Sequence, residues 1–418
     1  MKNKLLYLLI FIVGGFASCD EDSTADYIFD KSVNERFSEL YTEYNTVLQS
    51  PAQGWLGYYN PNGETGAYSI LLKFNPNGSV IMHSDYKSGF ANDTITYSIT
   101  KKQDITLTFE SWSVFHAIYE TNNNNNGGEY VFNIASVSAD EITLVSKTDN
   151  GYNGDDVTTL VLKPATIENW DLEPVIANVA RLAGDANKSI FRNFEHEGEA
   201  FASFRYDDRN RTGVISYMND GELINVITPV LINANGFQLM KEVSIEGKTM
   251  QNFVYDLDND VFTNTDTSIK LSYDNAPAYT VDGVVDQLLS VNFKTITDYS
   301  ANLEATILTI QDSVPNFKSF QLYSEWGYLL CYAPGTEGGN WSGFSKLSFT
   351  KTGEDQLTIG WEGYTYGSWW EKIYYNAGGQ MILNFLLDEN GLYVVSVSNS
   401  EFYLVSKSDP SKYCLVEL

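Results

Sequence analysis

Acid–base and metal chemistry need particular side chains held close together, and this sequence is sparing with them. Its histidines are His83, His116 and His196. A Ser–His–acid or Cys–His arrangement requires a histidine oriented by an acid, and no local signature surrounds any of the three. The run His196-Glu197-Gly198-Glu199 opens like the helix of a zinc hydrolase, but Ala200 stands where the second histidine belongs. Carboxylates are abundant, 54 in all, and so no pair is singled out as an acid and its base. These absences argue against an enzyme. Asp256, Asp258 and Asp260 alternate through a turn, as at the start of a calcium loop. An EF-hand would continue with glycine at Val261 and glutamate at Thr267, and it does not. The three carboxylates are a candidate for weak calcium coordination, yet a solvated acidic turn accounts for them without a metal. No metal and no cofactor is expected.

The residues best suited to holding a ligand are aromatic. Trp361, Tyr364, Tyr366, Trp369 and Trp370 fall within ten residues, with Glu362 and Glu371 beside them and Gly363 and Gly367 between. Aromatic faces stack on sugar rings or flat apolar groups, and the carboxylates can accept from hydroxyls. The same pattern also suits rings that cover or fill a β-sheet, because strands are enriched in aromatics. In an ideal strand Tyr364 and Tyr366 share one face, while Trp369 and Trp370 point to opposite faces.

Positioning such residues falls to elements legible in the sequence. Lys2 and Lys4, the apolar run Leu5 to Phe16 and Ala17-Ser18-Cys19 make residues 1–18 a secretory signal peptide. The run is shorter than the roughly 20 residues a membrane span needs. Cys19 after small residues resembles a lipoprotein signal, in which that cysteine is lipidated and becomes the mature N-terminus. Residues 19–31 read as its tether. The protein is therefore expected to be anchored to a membrane by lipid and folded in water. Its net charge of −28 repels nucleic acid and anionic head groups, so nucleic acid is not an expected partner.

An apolar content of 43% suffices for packed domains, and 418 residues exceed what one core serves. Ser32 and Glu35 form a capping-box pattern, and Val33, Phe37, Leu40, Tyr41, Tyr44, Val47 and Leu48 follow helical spacing. That predicts a helix over 32–50. From Trp55 the period becomes two: Tyr68, Ile70, Leu72 and Phe74; Ile95, Tyr97 and Ile99; Ile105, Leu107 and Phe109; Tyr130, Phe132 and Ile134. Short alternating strands at regular intervals predict an antiparallel barrel or sandwich. Helical spacing returns over Glu173–Ala183, Val284–Val291 and Asn302–Ile310, and hairpin signals stand at Gly378-Gly379 and Asn390-Gly391. The expected fold is mainly β: lipocalin-like antiparallel barrel or sandwich modules, an N-terminal helix and a few short helices between modules. One domain covers 32–165 and a β-rich one 166–418, divisible into a middle part 166–310 and a second meander 311–418. An echo, Leu144-Val-Ser-Lys147-Thr-Asp149 and Leu404-Val-Ser-Lys407-Ser-Asp409, raises a duplicated β meander. Cys331 and Cys414 sit in strand-like segments; they could bridge if those strands are neighbours, and are otherwise small buried hydrophobes.

The string Phe29-Asp30-Lys31-Ser32-Val33-Asn34-Glu35-Arg36 resembles the start of a lipoprotein family of Bacteroidota, domain of unknown function 4302. Gly54-Trp55, Gly66-Ala67-Tyr68, the segment Phe74 to Gly78, Asn235-Gly236-Phe237 and Glu246-Gly247-Lys248 are also similar to it. Cys19 with Asp20-Glu21-Asp22 behind it resembles the surface-export signal of such lipoproteins. The resemblance implies a non-catalytic lipoprotein of the outer membrane, facing the cell exterior. It would be a binding or accessory component of a transporter–lipoprotein nutrient-import complex, with glycan or peptide as ligand. It carries over no site residues. A lipocalin-like carrier of a small apolar ligand, or a surface hydrolase without a recognised motif, are the alternatives.

Overall fold

A computed structural model of the chain describes residues 31–101, 104–121, 127–147, 158–314, 316–336, 339–366 and 377–418. The signal segment and Cys19 lie outside them. Helix α1 (Val33–Leu48) starts as its sequence dictates. The Ser32 hydroxyl accepts from the Glu35 amide and the Glu35 carboxylate accepts from the Ser32 amide, satisfying two donors that helix geometry leaves free. Leu48 at its end is buried, and its carbonyl accepts from the Trp55 indole at 2.8 Å.

Among the described residues, 24 strands close into three antiparallel barrels of eight. The first runs from β1 (Trp55–Tyr59) to β8 (Thr159–Pro164), with β1 closing on β8. The second runs from β9 (Arg192–His196) to β16 (Lys270–Tyr273), and the third from β17 (Phe293–Tyr299) to β24 (Tyr413–Glu417). Every strand pairs antiparallel with its sequence neighbour, most of them through short turns and a few through a connection that carries a helix, and each sheet loses its exposed edges by closing. The turns carry the backbone chemistry this needs. At Glu246-Gly247 both residues have positive φ, 51° and 77°, which matches the twist of the flanking strands.

The cores follow from period-two alternation. In the first barrel Trp55, Tyr59, Phe109, Phe115 and Phe132 are fully buried. Phe115 comes from a short helix, α2 (Val114–Tyr119), and its ring lies 4.8 Å from Phe109 and 5.1 Å from Phe132. Burying one such side chain is worth about 1.5–3 kcal/mol. In the second barrel Phe237 stacks on Phe253 at 4.6 Å. Strand β2 (Tyr68–Phe74) departs from alternation because both faces are covered. Its Leu71 pairs with His83, which packs against Trp170, and Ala67 just before it bridges to Leu231 of the second barrel.

Three expectations need correcting. The third barrel begins at Phe293, not after residue 310, because β17 precedes α5 (Ala301–Ser313) and this helix is inserted between β17 and β18 (Ser319–Tyr323). The Gly378-Gly379 and Asn390-Gly391 signals do not make hairpins. They bracket helix α6 (Gln380–Leu386), whose Ile382, Leu383, Phe385 and Leu386 are buried. Helices α2 and α6 lie outside the segments read as helical, being too short to show a period. Helices α3 (Glu173–Ala183) and α4 (Val284–Ser290) precede the second and third barrels as α1 precedes the first. The sequence echo falls on matching strands: Leu144 lies on β7 (Ile142–Ser146) and Leu404 on β23 (Glu401–Ser406), each the seventh of its barrel. Asp149 lies outside the described residues.

Candidate functional site

The histidines are dispersed. His83 on β3 (Ser79–Ser84) has Nε2 3.6 Å from Asp93 and its ring against Trp170. His116 on α2 stacks on Tyr130 at 4.2 Å and on Trp112 at 5.8 Å, and burial lowers its pKa. Its Nδ1 is 2.9 Å from the Ser113 hydroxyl. Ser113 is wholly buried, and this pair closes the capping box of α2, so the hydroxyl faces no substrate. His196 ends β9 at the Glu197-Gly198 turn, where Glu197 has φ 54°; the run that opens like a zinc-hydrolase helix is a hairpin.

The three aspartates do not converge. Asp256 accepts from the amides of Asp258 and Asn259 and from the Asn259 side chain, which lowers its pKa. Asp260 turns to Lys188 and to the Tyr255 hydroxyl, the latter at 2.6 Å. Among the described residues no group of three or more histidine, cysteine or acidic side chains is placed to hold a metal.

Of the aromatic run, Trp361 lies on β21 (Gln356–Tyr366), paired with Leu347, and is 56% exposed. Tyr364 and Tyr366 continue that strand, but their side chains, and Trp369 and Trp370 entirely, lie outside the described residues. Cys331 on β19 (Tyr328–Thr336) and Cys414 on β24 are separated in the closed sheet by β17 and β18, and both are free and buried. Burial pushes both thiols well up.

One concavity lies between barrels. A cleft of about 640 Å³ opens where the outer face of the second barrel meets the outer face of the third. Strands β10 (Glu199–Asp207), β11 (Thr212–Asn219) and β12 (Glu222–Asn233) supply one wall. Their outward residues stand side by side in register: Ser203 beside Ser216, Arg205 beside Val214, Ser216 beside Asn225. The opposite wall comes from β22 (Leu392–Ser396), β23 and β24, with Val395 beside Tyr403 and Val405 beside Tyr413. Tyr403 and Tyr413 meet edge to face at 5.6 Å. Two connecting stretches close the sides, 183–192 after α3 and the segment holding Tyr273, Pro277 and Tyr279. Phe191 anchors the first of them by packing edge-on against Tyr393 at 5.6 Å. The tyrosine rings are half-buried, so each offers part of a face. Polar groups are few and placed: the Ser203 hydroxyl reaches Tyr279 at 3.5 Å, and Ser216 donates to Asn225 at 2.6 Å.

Sequence reasoning missed this cleft, although one trace of it was legible. Outward positions on β22 and β23 are Tyr393, Val395, Tyr403 and Val405, so these strands read as near-continuous apolar runs, the mark of a sheet covered on both faces. The barrel interiors, in contrast, are filled by side chains: Phe132, Phe194 and Phe320 are each fully buried within a packed cluster.

A family model described as a domain of unknown function, DUF4302, matches residues 25–257, which take in the first barrel and most of the second. No curated protein matches the chain. Among solved structures, the β subunit of DNA polymerase III from Thermotoga maritima aligns at 8% identity over 90% of this chain and 96% of that one, with a TM-score of 0.15. Nothing about fold or function carries over at that score.

Proposed function

The chain belongs to the DUF4302 family, and from that premise we propose a non-catalytic binding protein, anchored by lipid at Cys19 to the outer membrane of a member of the Bacteroidota and facing outward. Its role is ligand capture for a surface nutrient-import complex. The observation that carries this reading is the cleft between the second and third barrels. Its volume falls in the range of small-ligand sites, roughly 300–1,000 Å³, and domain junctions are where such sites concentrate. Among the two ligand classes expected, its walls suit a glycan. Half-buried tyrosine faces stack on sugar rings, while Ser203, Asn225 and Arg205 can exchange hydrogen bonds with hydroxyls. The dispersal of the histidines supports binding over catalysis. The basic start, short apolar run and Cys19 support the anchor.

The test is glycan binding by the mature protein, measured on an oligosaccharide array and then by calorimetry. Tyr279→Ala with Tyr403→Ala is expected to abolish binding while the protein still melts cooperatively. Binding of peptides alone would replace glycan by peptide, and binding that survives the double substitution would move the site elsewhere. Cys19→Ala is expected to shift the protein from the membrane fraction to the soluble one; retention in the membrane would overturn the anchor.

A further inference from the structure

Two arginines of the second barrel are buried, and their surroundings differ. Arg211 faces the carboxylate of Asp85. Arg192 is 8% exposed, yet no acidic side chain lies within 4 Å of it among the described residues. Its Nη1 donates to the Leu182 carbonyl at the end of α3, and its buried Nε has no hydrogen-bond partner. The partial negative charge of a helix C-terminus offsets only part of a full cation. A buried cation without a counter-ion is costly, and its position is a candidate for function.

Arg192 also stands at a junction of two cavities. It lines the cleft, and it lines a second pocket of about 410 Å³ at the mouth of the barrel, which shares Lys188, Tyr273 and the Gly184–Ala186 strap with the cleft. Lys188 and Arg192 bracket the Tyr273 ring at 5.0 Å and 5.3 Å. Arg181 lies over the Tyr255 ring at 4.2 Å, again with no acid within 4 Å among the described residues. The acids in this pocket are Asp185 and Asp260, and Asp260 is engaged by Lys188 and Tyr255. In a chain with 54 acidic and 26 basic residues, the cleft wall reverses the balance: Lys188, Arg192 and Arg205 against Asp185.

We propose that the ligand of the cleft is anionic, and that Arg192 receives its oxyanion, a carboxylate or a sulfate ester, with Lys188 beside it. A guanidinium carries paired N–H donors whose spacing matches two oxygens of such a group. This rests on the binding reading above and adds the charge class of the ligand; on that reading the ligand is an acidic glycan.

The experiment compares four probes by calorimetry on the mature protein: tetragalacturonate, a sulfated galactan tetrasaccharide, neutral galactotetraose and tri-glutamate. The expected result is binding of at least one acidic sugar and at least tenfold weaker binding of the neutral one. Arg192→Met should lower that affinity roughly ten- to hundredfold, Arg192→Lys by less, and added salt should weaken it. Should Arg192→Met fail to fold, Lys188→Met, at a half-exposed position, is expected to lower affinity severalfold with an unchanged melting temperature. Equal binding of neutral and acidic sugars, indifferent to both substitutions, would overturn the inference and leave the glycan reading standing. Arg192-dependent binding of tri-glutamate alone would keep the inference and overturn the glycan reading. Binding of no acidic probe would overturn it outright.

Discussion

Arg211 and Asp85 meet across the junction of the first and second barrels at 2.6 Å, with side chains 2% and 0% exposed. The guanidinium also donates to the carbonyls of Ala67 and Asp85 and lies 4.3 Å over the Tyr68 ring. The other carboxylate oxygen accepts from the Ser69 amide at 2.9 Å. Both members are buried and hydrogen-bonded, so removing one strands a buried charge. Arg211→Met is expected to destabilise the protein by about 3–5 kcal/mol in urea unfolding, whereas Arg211→Met with Asp85→Leu should restore most of that loss. Equal losses in the single and double variants would show that the pair does not hold the junction.

The same junction depends on a close backbone approach. The Gly66 amide donates to the Asn210 carbonyl and the Ala67 amide to the Val230 carbonyl. A Cβ on Gly66 would stand 2.2 Å from the Arg211 oxygen and 2.3 Å from the Val230 oxygen, and neither backbone atom can swing aside. Gly66→Ala should therefore cost about 1–3 kcal/mol, as overpacking does, and expose the linker between barrels to limited proteolysis. Wild-type stability in this variant would mean that the barrels do not meet through Gly66.

What was legible in the sequence was local. The Ser32–Glu35 capping box, the span Glu173–Ala183 and the strands of the first barrel need only neighbouring residues, and the structure forms each of them. The start of the third barrel was not legible, because a 13-residue helix splits β17 from β18 and makes the preceding strand look isolated. The site was hidden for a different reason. Its walls come from 183–227, 273–279 and 395–413, so no window contains it, and the lack of a carboxylate partner that distinguishes Arg192 from Arg211 exists only in three dimensions. The aromatic run near Trp361 drew attention because it is contiguous, which the folded site is not.

Free thiols inside a closed sheet are a checkable consequence of the topology. With two strands between Cys331 and Cys414, oxidation cannot join them without opening the barrel. Both are fully buried, and their raised pKa values suppress the thiolate that reacts. A thiol reagent should label neither in the native protein and both in denaturant, without prior reduction. Recovery of a disulfide-linked peptide pair would contradict the strand order of the third barrel.

Lys294 gives a pH dependence of defined sign. It is 2% exposed, and its ammonium donates to the Ser324 hydroxyl at 2.8 Å and to the Val291 carbonyl, with no carboxylate within 4 Å among the described residues. Burial lowers its pKa from 10.5 to about 8. Below pH 8 both folded and unfolded states carry the proton, and the cost of burying the charge is fully present. Between about 8 and 10.5 the unfolded state binds more protons than the folded one, so this contribution makes stability rise with pH. Tyrosines oppose it at higher pH, since burial pushes Tyr68 up to about 12; comparison with a variant cancels them. The stability of wild type relative to Lys294→Met should therefore improve between pH 7 and pH 10, read as the difference in urea midpoints. A difference that stays constant over that range would mean that Lys294 keeps its ordinary affinity for the proton, with water reaching its ammonium group.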